Sequence, residues 1–156
     1  MKCFSKIDLV KAYWNIPIYP PHIEKTAVVS PAGLYEYVRM SFGLKNAPST
    51  WMRFIMSVLG DLPFIFVYVD DILVFAENEE LHLQYLETLL QRLNEYNLTI
   101  NEKKSRFLCS DLEFLGFKIS EDSMEPTQER IEYIRNLQPP KTNSFPSKNT
   151  WCLFIL

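Results

Sequence analysis

Two adjacent carboxylates, Asp70 and Asp71, separate the apolar runs Phe64-Ile65-Phe66-Val67-Tyr68-Val69 and Ile72-Leu73-Val74-Phe75. Runs of this composition joined by two residues read as a β-hairpin, with both carboxylates at its tip. Such turns favour Asn-Gly or Asp-Gly, because the primed types need positive φ. Like charges this close repel, and withdrawing them from water is costly unless something compensates. No Lys or Arg lies between Arg53 and Arg92, so a bound divalent cation is the simplest compensator. The alternative is a solvated acidic turn, which is common. A third carboxylate, Asp8, follows the strand-like run Phe4-Ser5-Lys6-Ile7. If that strand neighbours the hairpin, Asp8 and Asp70 face one another. Carboxylates on separate strands can hold two Mg2+ ions roughly 3.5–4 Å apart, the arrangement used for in-line phosphoryl chemistry. One ion lowers the pKa of an attacking hydroxyl and the other stabilises a leaving pyrophosphate. Taken without its context, Asp8 is better read as an N-cap for a helix starting at Leu9.

The elements that must position these groups follow from periodicity. Phe4 to Leu9 reads as a short strand. Residues 17–31 carry Pro17, Pro20, Pro21 and Pro31, which points to extended or loop structure. Tyr35 to Met40 reads as a strand, with Gly33 in the turn before it. Ala47 to Leu59 reads as a helix: Pro48 suits the first helical position, Trp51, Phe54, Ile55, Val58 and Leu59 recur at helical spacing, and Gly60 suits the residue past its end. Glu79 to Tyr96 reads as an amphipathic helix with Asn78 as N-cap, Leu86, Leu89, Leu90 and Leu93 as its buried stripe, and a left-handed Asn97 at its end. Leu98 to Ile100, Phe107-Leu108 and Glu113 to Ile119 look like short strands. Thr127 to Leu137 is a last helix, stopped by Pro139-Pro140. This order predicts an α+β fold, an antiparallel sheet with helices on one face.

Composition sets the frame. A chain of 156 residues with 47% hydrophobic and 22% charged residues is about one domain with a core. No apolar run approaches the roughly 18 residues of a membrane span, so no membrane partner is expected. Cys3, Cys109 and Cys152 form neither a zinc pair nor a disulfide framework, which fits a reducing, intracellular and cytoplasmic setting. The net charge of -3 conceals a gradient: seven Lys/Arg against three Asp/Glu over 1–60, one against eight over 61–100, and eight against eight over 101–156. A basic part beside a concentrated acidic part suits cations bridging carboxylates to a phosphate-bearing ligand. An acidic solvated helix accounts for much of the middle segment as well.

Four ordered stretches carry a resemblance. Phe4-Ser5-Lys6-Ile7-Asp8-Leu9 with Ala12-Tyr13 resembles the first catalytic motif of reverse transcriptases, and Phe42-Gly43-Leu44-Lys45-Asn46-Ala47-Pro48-Ser49-Thr50 resembles their second. Tyr68-Val69-Asp70-Asp71 resembles their catalytic hairpin and Phe114-Leu115-Gly116-Phe117 their primer-grip strand turn. The likeness is strongest to the polymerases of gypsy-type long-terminal-repeat retrotransposons and their retroviral relatives. It spans about residues 3–141.

The resemblance implies a reverse-transcriptase palm over 1–141, with partial fingers at 17–41 and the start of a thumb connection at about 120–141. It implies RNA-directed DNA polymerase activity with two Mg2+ ions (Mn2+ substituting), an RNA or DNA template with a primer, and dNTPs. Asp8, Asp70 and Asp71 match the metal-binding triad, with backbone contacts from Val69 and Leu9. Leu9, Ala12, Tyr13, Phe42 and Gly43 match positions around the incoming nucleotide. Tyr13 stands where the family places a ring that excludes a ribose 2'-OH; a core aromatic is the alternative. Gly43 lets backbone approach the ligand. Lys104 matches the lysine that protonates the leaving pyrophosphate, whereas Lys103 reads as a surface lysine. Phe114, Leu115, Gly116 and Phe117 would hold the primer end.

Two positions depart from the family pattern. Met52 stands where glutamine is common, which predicts the loss of a polar contact near the nucleotide pocket, and Ser105 replaces a frequent cysteine. The upstream fingers segment, thumb, connection, RNase H and integrase parts are expected outside this chain, supplied by further polyprotein domains or a complementing subunit. The tail 142–156 does not resemble the family and fits disorder or a shifted reading frame. A catalytically inactive remnant of a decayed element, at most a weak nucleic-acid-binding module, is the alternative reading.

Overall fold

The structure, a computed structural model, describes residues 1–137. The Pro139-Pro140 helix stop, the end of the family-like stretch at Lys141 and the tail 142–156 lie outside the described residues. Strands β1 (Cys3–Asp8), β4 (Ile65–Tyr68), β5 (Asp71–Ala76) and β6 (Arg106–Cys109) form one antiparallel sheet in the order β4-β5-β1-β6. The chain therefore pairs its first strand between the hairpin and a strand a hundred residues later. Register sets Asp8 opposite Asp71, Ile7 opposite Ile72 and Lys6 opposite Leu73.

Because successive side chains alternate across a strand, the sheet has two distinct faces. Ile7, Ile72 and Val74 point to the face covered by α1 (Ala47–Leu59) and α2 (Glu79–Glu95), meeting Trp51, Ile55, Val58 and Leu59 from α1 and Leu86, Leu89 and Leu93 from α2. Full burial of each such side chain stabilises by about 1.5–3 kcal/mol. Phe4 and Leu73 point to the opposite face and meet Leu112 and Phe114 of a second antiparallel sheet, β7 (Leu112–Phe114), β8 (Phe117–Ile119) and β9 (Met124–Pro126). The α+β class with helices on one face is the arrangement the element order predicts.

Both long helices start and end as their sequences specify. Pro48 lies in the first turn of α1. Gly60 is needed beyond it for close approach rather than for positive φ: its φ is -68°, and a Cβ would collide with the Met56 carbonyl oxygen. Asn78 caps α2 by accepting the Leu81 N–H at 2.9 Å, and Asn97 is left-handed with φ 55°. Arg92 of α2 donates to the Val58 carbonyl at 2.8 Å and pairs with Asp61, tying the two helices together.

Several expectations are corrected. The buried stripe of α2 is His82, Leu86, Leu89 and Leu93, spaced four, three and four; Leu90 stands on its flank, 38% exposed. Within 17–31, Pro20–Thr26 forms a 3-10 helix, since proline at its start has a suitable φ and no N–H to lose. The strand of that region is β3 (Gly33–Tyr35), paired with β2 (Val28–Ser30), not Tyr35 to Met40, which contributes one bridge, Arg39 to Pro17. Leu98 to Ile100 likewise makes one bridge, Ile100 to Leu9, and is no strand. The run Glu113 to Ile119 breaks at Leu115-Gly116, a further strand, β9, follows it, and the last helix, α3, is Gln128–Arg135. No helix begins at Leu9; Asp8 ends a strand.

Candidate active site

The hairpin turn is offset by one residue from its expected place. Tyr68 pairs with Asp71, so the two turn residues are Val69 and Asp70, and Asp71 is the first residue of β5. Only the first turn residue has positive φ, Val69 at 51°, the pattern of a type II′ turn. That position suits glycine; a β-branched residue there is an outlier whose strain is of order 1–3 kcal/mol. Three contacts hold it. The Trp51 indole N–H donates to the Val69 carbonyl at 2.7 Å, the Val69 N–H donates to Met52 Sδ at 3.3 Å, and the Leu9 N–H donates to the Asp70 carbonyl at 2.9 Å. The polar contact expected to vanish with Met52 is thus replaced by a thioether acceptor.

The offset separates the carboxylates. Asp8 and Asp71 face each other on β1 and β5, on the sheet face away from the helices, while Asp70 sits in the turn. Asp71 is neutralised by Lys6, whose Nζ lies 3.1 Å from its Oδ1. Among the described residues Asp70 has no such partner: its Oδ1 is buried without a hydrogen bond. Burial, then the Asp8 and Asp71 charges, raise its pKa above the ordinary 3.8, with Lys104 acting in the opposite direction. Among the described residues no group of three or more His, Cys, Asp or Glu is gathered to hold a metal ion.

The segment after α2 wraps the end of β1. The Asn101 N–H donates to the Asp8 carbonyl at 2.8 Å, and the Asp8 N–H donates to Ser105 Oγ at 3.2 Å, which itself donates to the Asn101 carbonyl. This loop brings Lys104, exposed, within electrostatic range of Asp70. On the other side Ala12 is buried in a 3-10 helix, Ala12–Asn15, and Tyr13 meets Phe42 edge-on with ring centroids 5.3 Å apart. Burial, then Asp70 and Tyr68, raise the Tyr13 hydroxyl pKa, so that hydroxyl lies within electrostatic range of Asp70. Phe42 is 69% exposed, and Gly43, at φ 91°, has open space where a Cβ would stand.

Phe114 and Phe117 pair across the turn Leu115-Gly116, both residues at positive φ (50° and 77°) as a type I′ turn requires. The Phe114 ring contacts Phe66 edge-on at 6.0 Å and lies under Lys6 Nζ at 5.9 Å, so this hairpin adjoins the carboxylate-bearing face. Arg130 of α3 secures it, donating to the Leu115 carbonyl at 2.9 Å and covering the Phe117 ring at 4.5 Å.

Residues 1–119 match the family model described as reverse transcriptase (RNA-dependent DNA polymerase). The chain belongs to the reverse transcriptase family. This reverse transcriptase segment is 36% identical over 141 residues to the retrovirus-related Pol polyprotein of transposon opus of Drosophila melanogaster, covering 89% of the chain and 14% of that relative. It is 34% identical over 141 residues to that of transposon gypsy of the same organism, with the same coverage. To the transposon Tf2-3 polyprotein of Schizosaccharomyces pombe it is 35% identical over 140 residues, covering 88% of the chain and 10% of the relative. It thus spans about one seventh or less of these polyproteins. Among solved structures it is similar to the foamy viral protease-reverse transcriptase in complex with RNA/DNA hybrid (TM-score 0.79, 32% identity, 89% of this chain and 19% of that one). A form of that protein in complex with double-stranded DNA gives a TM-score of 0.83 at 31% identity, with 92% and 25% coverage.

Within this reverse transcriptase fold, several contributors escaped sequence reasoning. Lys6 lies outside the hairpin sequence, and the signal for it is its position two residues before Asp8, on the same strand face. Ser105 appeared only as a substitution for cysteine. Trp51 looked like core alone, and nothing local marks Arg130 as a partner of Leu115.

Proposed function

We propose that the chain forms the palm of an RNA-directed DNA polymerase, transferring a nucleotide from a dNTP to a primer 3'-OH. The observation that carries this reading is the Asp70 carboxylate in the hairpin turn, whose Oδ1 is buried without a hydrogen bond while Asp8 and Asp71 add like charge beside it. An orphaned anionic oxygen among like charges is what a divalent cation satisfies, so these residues fit one. Asp8 and Asp70 would hold it, with Asp71 available once released from Lys6. When bound, Mg2+ or Mn2+ acidifies the primer hydroxyl and neutralises charge on the triphosphate.

The chain's own groups supply positioning. Val69 keeps the Asp70 carboxylate at the turn, through the Trp51 and Met52 contacts. The Tyr13–Phe42 pair presents a wall beside the carboxylates, suited to the sugar of an incoming dNTP. Lys104 Nζ would donate a proton to the departing pyrophosphate, needing reach more than fixed geometry. The hairpin Phe114–Phe117 would support the primer end. An RNA or DNA template is supported by the relatives, whose solved forms carry RNA/DNA hybrid and double-stranded DNA.

The test is Mg2+- or Mn2+-dependent primer extension on an RNA template, with Asp70→Asn/Asp71→Asn as control. Extension abolished in the control supports the proposal. Its absence in folded wild-type chain sinks the claim for this chain alone, and the same assay is then run on the polyprotein polymerase.

A further inference from the structure

Beside the carboxylates lies a cavity of about 380 Å³ between the main sheet and the β7–β8 hairpin. Its wall carries four cations from separate segments: Lys6 on β1, Lys104 on the loop after α2, Arg106 on β6 and Lys118 on β8. Two acids, Asp111 and Glu113, share the wall. Lys118 is paired with Asp111 at 3.2 Å and Lys6 with Asp71 at 3.1 Å. The side chains of Lys104 and Arg106 make no ion pair or hydrogen bond among the described residues, although Lys104 is felt electrostatically by Asp70. Register explains the convergence. Lys6 and Arg106 are direct cross-strand partners of β1 and β6, so two like charges are placed together where such pairs are destabilising. Lys118, opposite Glu113, approaches from the second sheet.

Cations brought together at the cost of their mutual repulsion, two of them unpaired, form a site for an anion with several oxygens. Leu112 is the one apolar residue of this wall, so an apolar ligand gains little from it, and a single carboxylate has fewer acceptor oxygens than the donors offered. We propose that this cavity is a phosphate-binding site, in which the Arg106 guanidinium and the Lys118 ammonium grip phosphate oxyanions. The ligand is either a backbone phosphodiester of the primer strand or free pyrophosphate. The planar guanidinium makes paired hydrogen bonds to phosphate oxygens, and Lys118 can exchange Asp111 for the ligand. This assignment deepens the polymerase reading and rests on it for the identity of the two sources, but not for phosphate binding itself.

The experiment uses the full chain, without dNTP and in EDTA, so the carboxylates hold no metal. Binding of a fluorescent primer–template duplex is followed by anisotropy across salt concentrations, and pyrophosphate binding by calorimetry. Arg106→Gln, Lys118→Gln and the conservative Arg106→Lys are compared with wild type. Both positions are exposed, and circular dichroism checks that the variants fold. If the ligand is a backbone phosphate, each Gln variant weakens duplex binding up to about 10-fold at 0.1 M salt. The slope of log K against log salt falls by about 1 per variant, and Arg106→Lys retains part of the affinity. If it is pyrophosphate, the same variants lose calorimetric binding and leave the duplex unaffected. Unchanged binding of both ligands in the Gln variants, or no binding of either to wild type, overturns the site. Absence of primer extension by the wild-type chain, with variant-sensitive phosphate binding intact, sinks the polymerase claim for this chain and leaves the site standing.

Discussion

The Trp51 indole N–H lies 2.7 Å from the carbonyl oxygen of Val69, a residue held at φ 51°. A helix residue in the main core thereby fixes a strained turn whose next residue is Asp70. Packing and chemistry are coupled at one hydrogen bond: α1 cannot shift without moving the carboxylate.

Replacing Trp51 by Phe keeps an aromatic ring in the core but removes the donor. The Val69 carbonyl loses its partner and a small void opens, so a stability loss of about 2–4 kcal/mol is expected. Met52→Leu removes only the weaker thioether acceptor and should cost about 0.5–1.5 kcal/mol. Urea denaturation of both variants measures the difference. Equal losses would show that the indole N–H contributes little to the turn.

Asp70 predicts a substitution that stabilises. Its folded-state pKa is raised above 3.8, so the folded protein binds more protons than the unfolded one between 3.8 and the raised value. Stability from this group is therefore greatest below 3.8 and declines as pH rises through that window. Asp70→Asn should be more stable than wild type at neutral pH without metal, with the advantage disappearing in acid. Mg2+ should raise the wild-type melting temperature, by about 1.4 kcal/mol of stability at ten times the dissociation constant, and leave the variant unmoved. A wild-type advantage in EDTA at pH 7 would contradict the electrostatic account.

Lys6 competes with any cation for Asp71. Both side chains are partly exposed, so Lys6→Met should cost only about 0.5–1 kcal/mol of stability. The same change frees a carboxylate beside Asp8, and Mg2+ should bind more tightly to the variant in a thermal titration. Weaker binding would mean that Lys6 orients Asp71 for the metal rather than withholding it.

How far the sequence revealed this architecture depends on the range of the interaction. Local chemistry marks α1 and the Asn78 cap, because proline position, capping residues and apolar spacing act within a few residues, whereas local reading runs a strand across Leu115-Gly116 and only the family resemblance puts a turn there. The offset of the Val69-Asp70 turn was not legible. Val69 looks like strand in every local respect, and only Trp51, Met52 and Leu9, from two other elements, place it in the turn. The pairing of Lys6 with Asp71 depends equally on the β1–β5 register, which joins residues 65 positions apart in the sequence.

Tyr13 sets a test of substrate choice. Its ring is braced edge-on by Phe42 and stands near Asp70. If that wall excludes a 2'-OH, Tyr13→Ala should admit ribonucleotides in a primer-extension assay while retaining dNTP use. Unchanged sugar selectivity would return Tyr13 to the role of core aromatic.

His82 gives an opposite pH dependence to that of Asp70, in a different window. Its side chain is fully buried in the stripe of α2, with Nε2 2.7 Å from Ser5 Oγ, while Nδ1 has no hydrogen-bond partner. Ser5 Oγ also accepts the Leu108 N–H at 3.0 Å, so one serine joins α2, β1 and the irregular β6, where Leu108 has φ 51°. Burial lowers the His82 pKa below 6.5. The unfolded chain then takes up the proton first as pH falls, and stability is fully present above 6.5 and lost from there down to the folded-state value. The slope in that window approaches about 1.4 kcal/mol per pH unit. His82→Gln keeps a hydrogen-bonding side chain towards Ser5 but cannot titrate, so its stability should be flat between pH 6.5 and 5 once other groups are subtracted. A wild-type profile as flat as the variant's would show that His82 is protonated equally in both states, and that the Ser5 contact tolerates the charge.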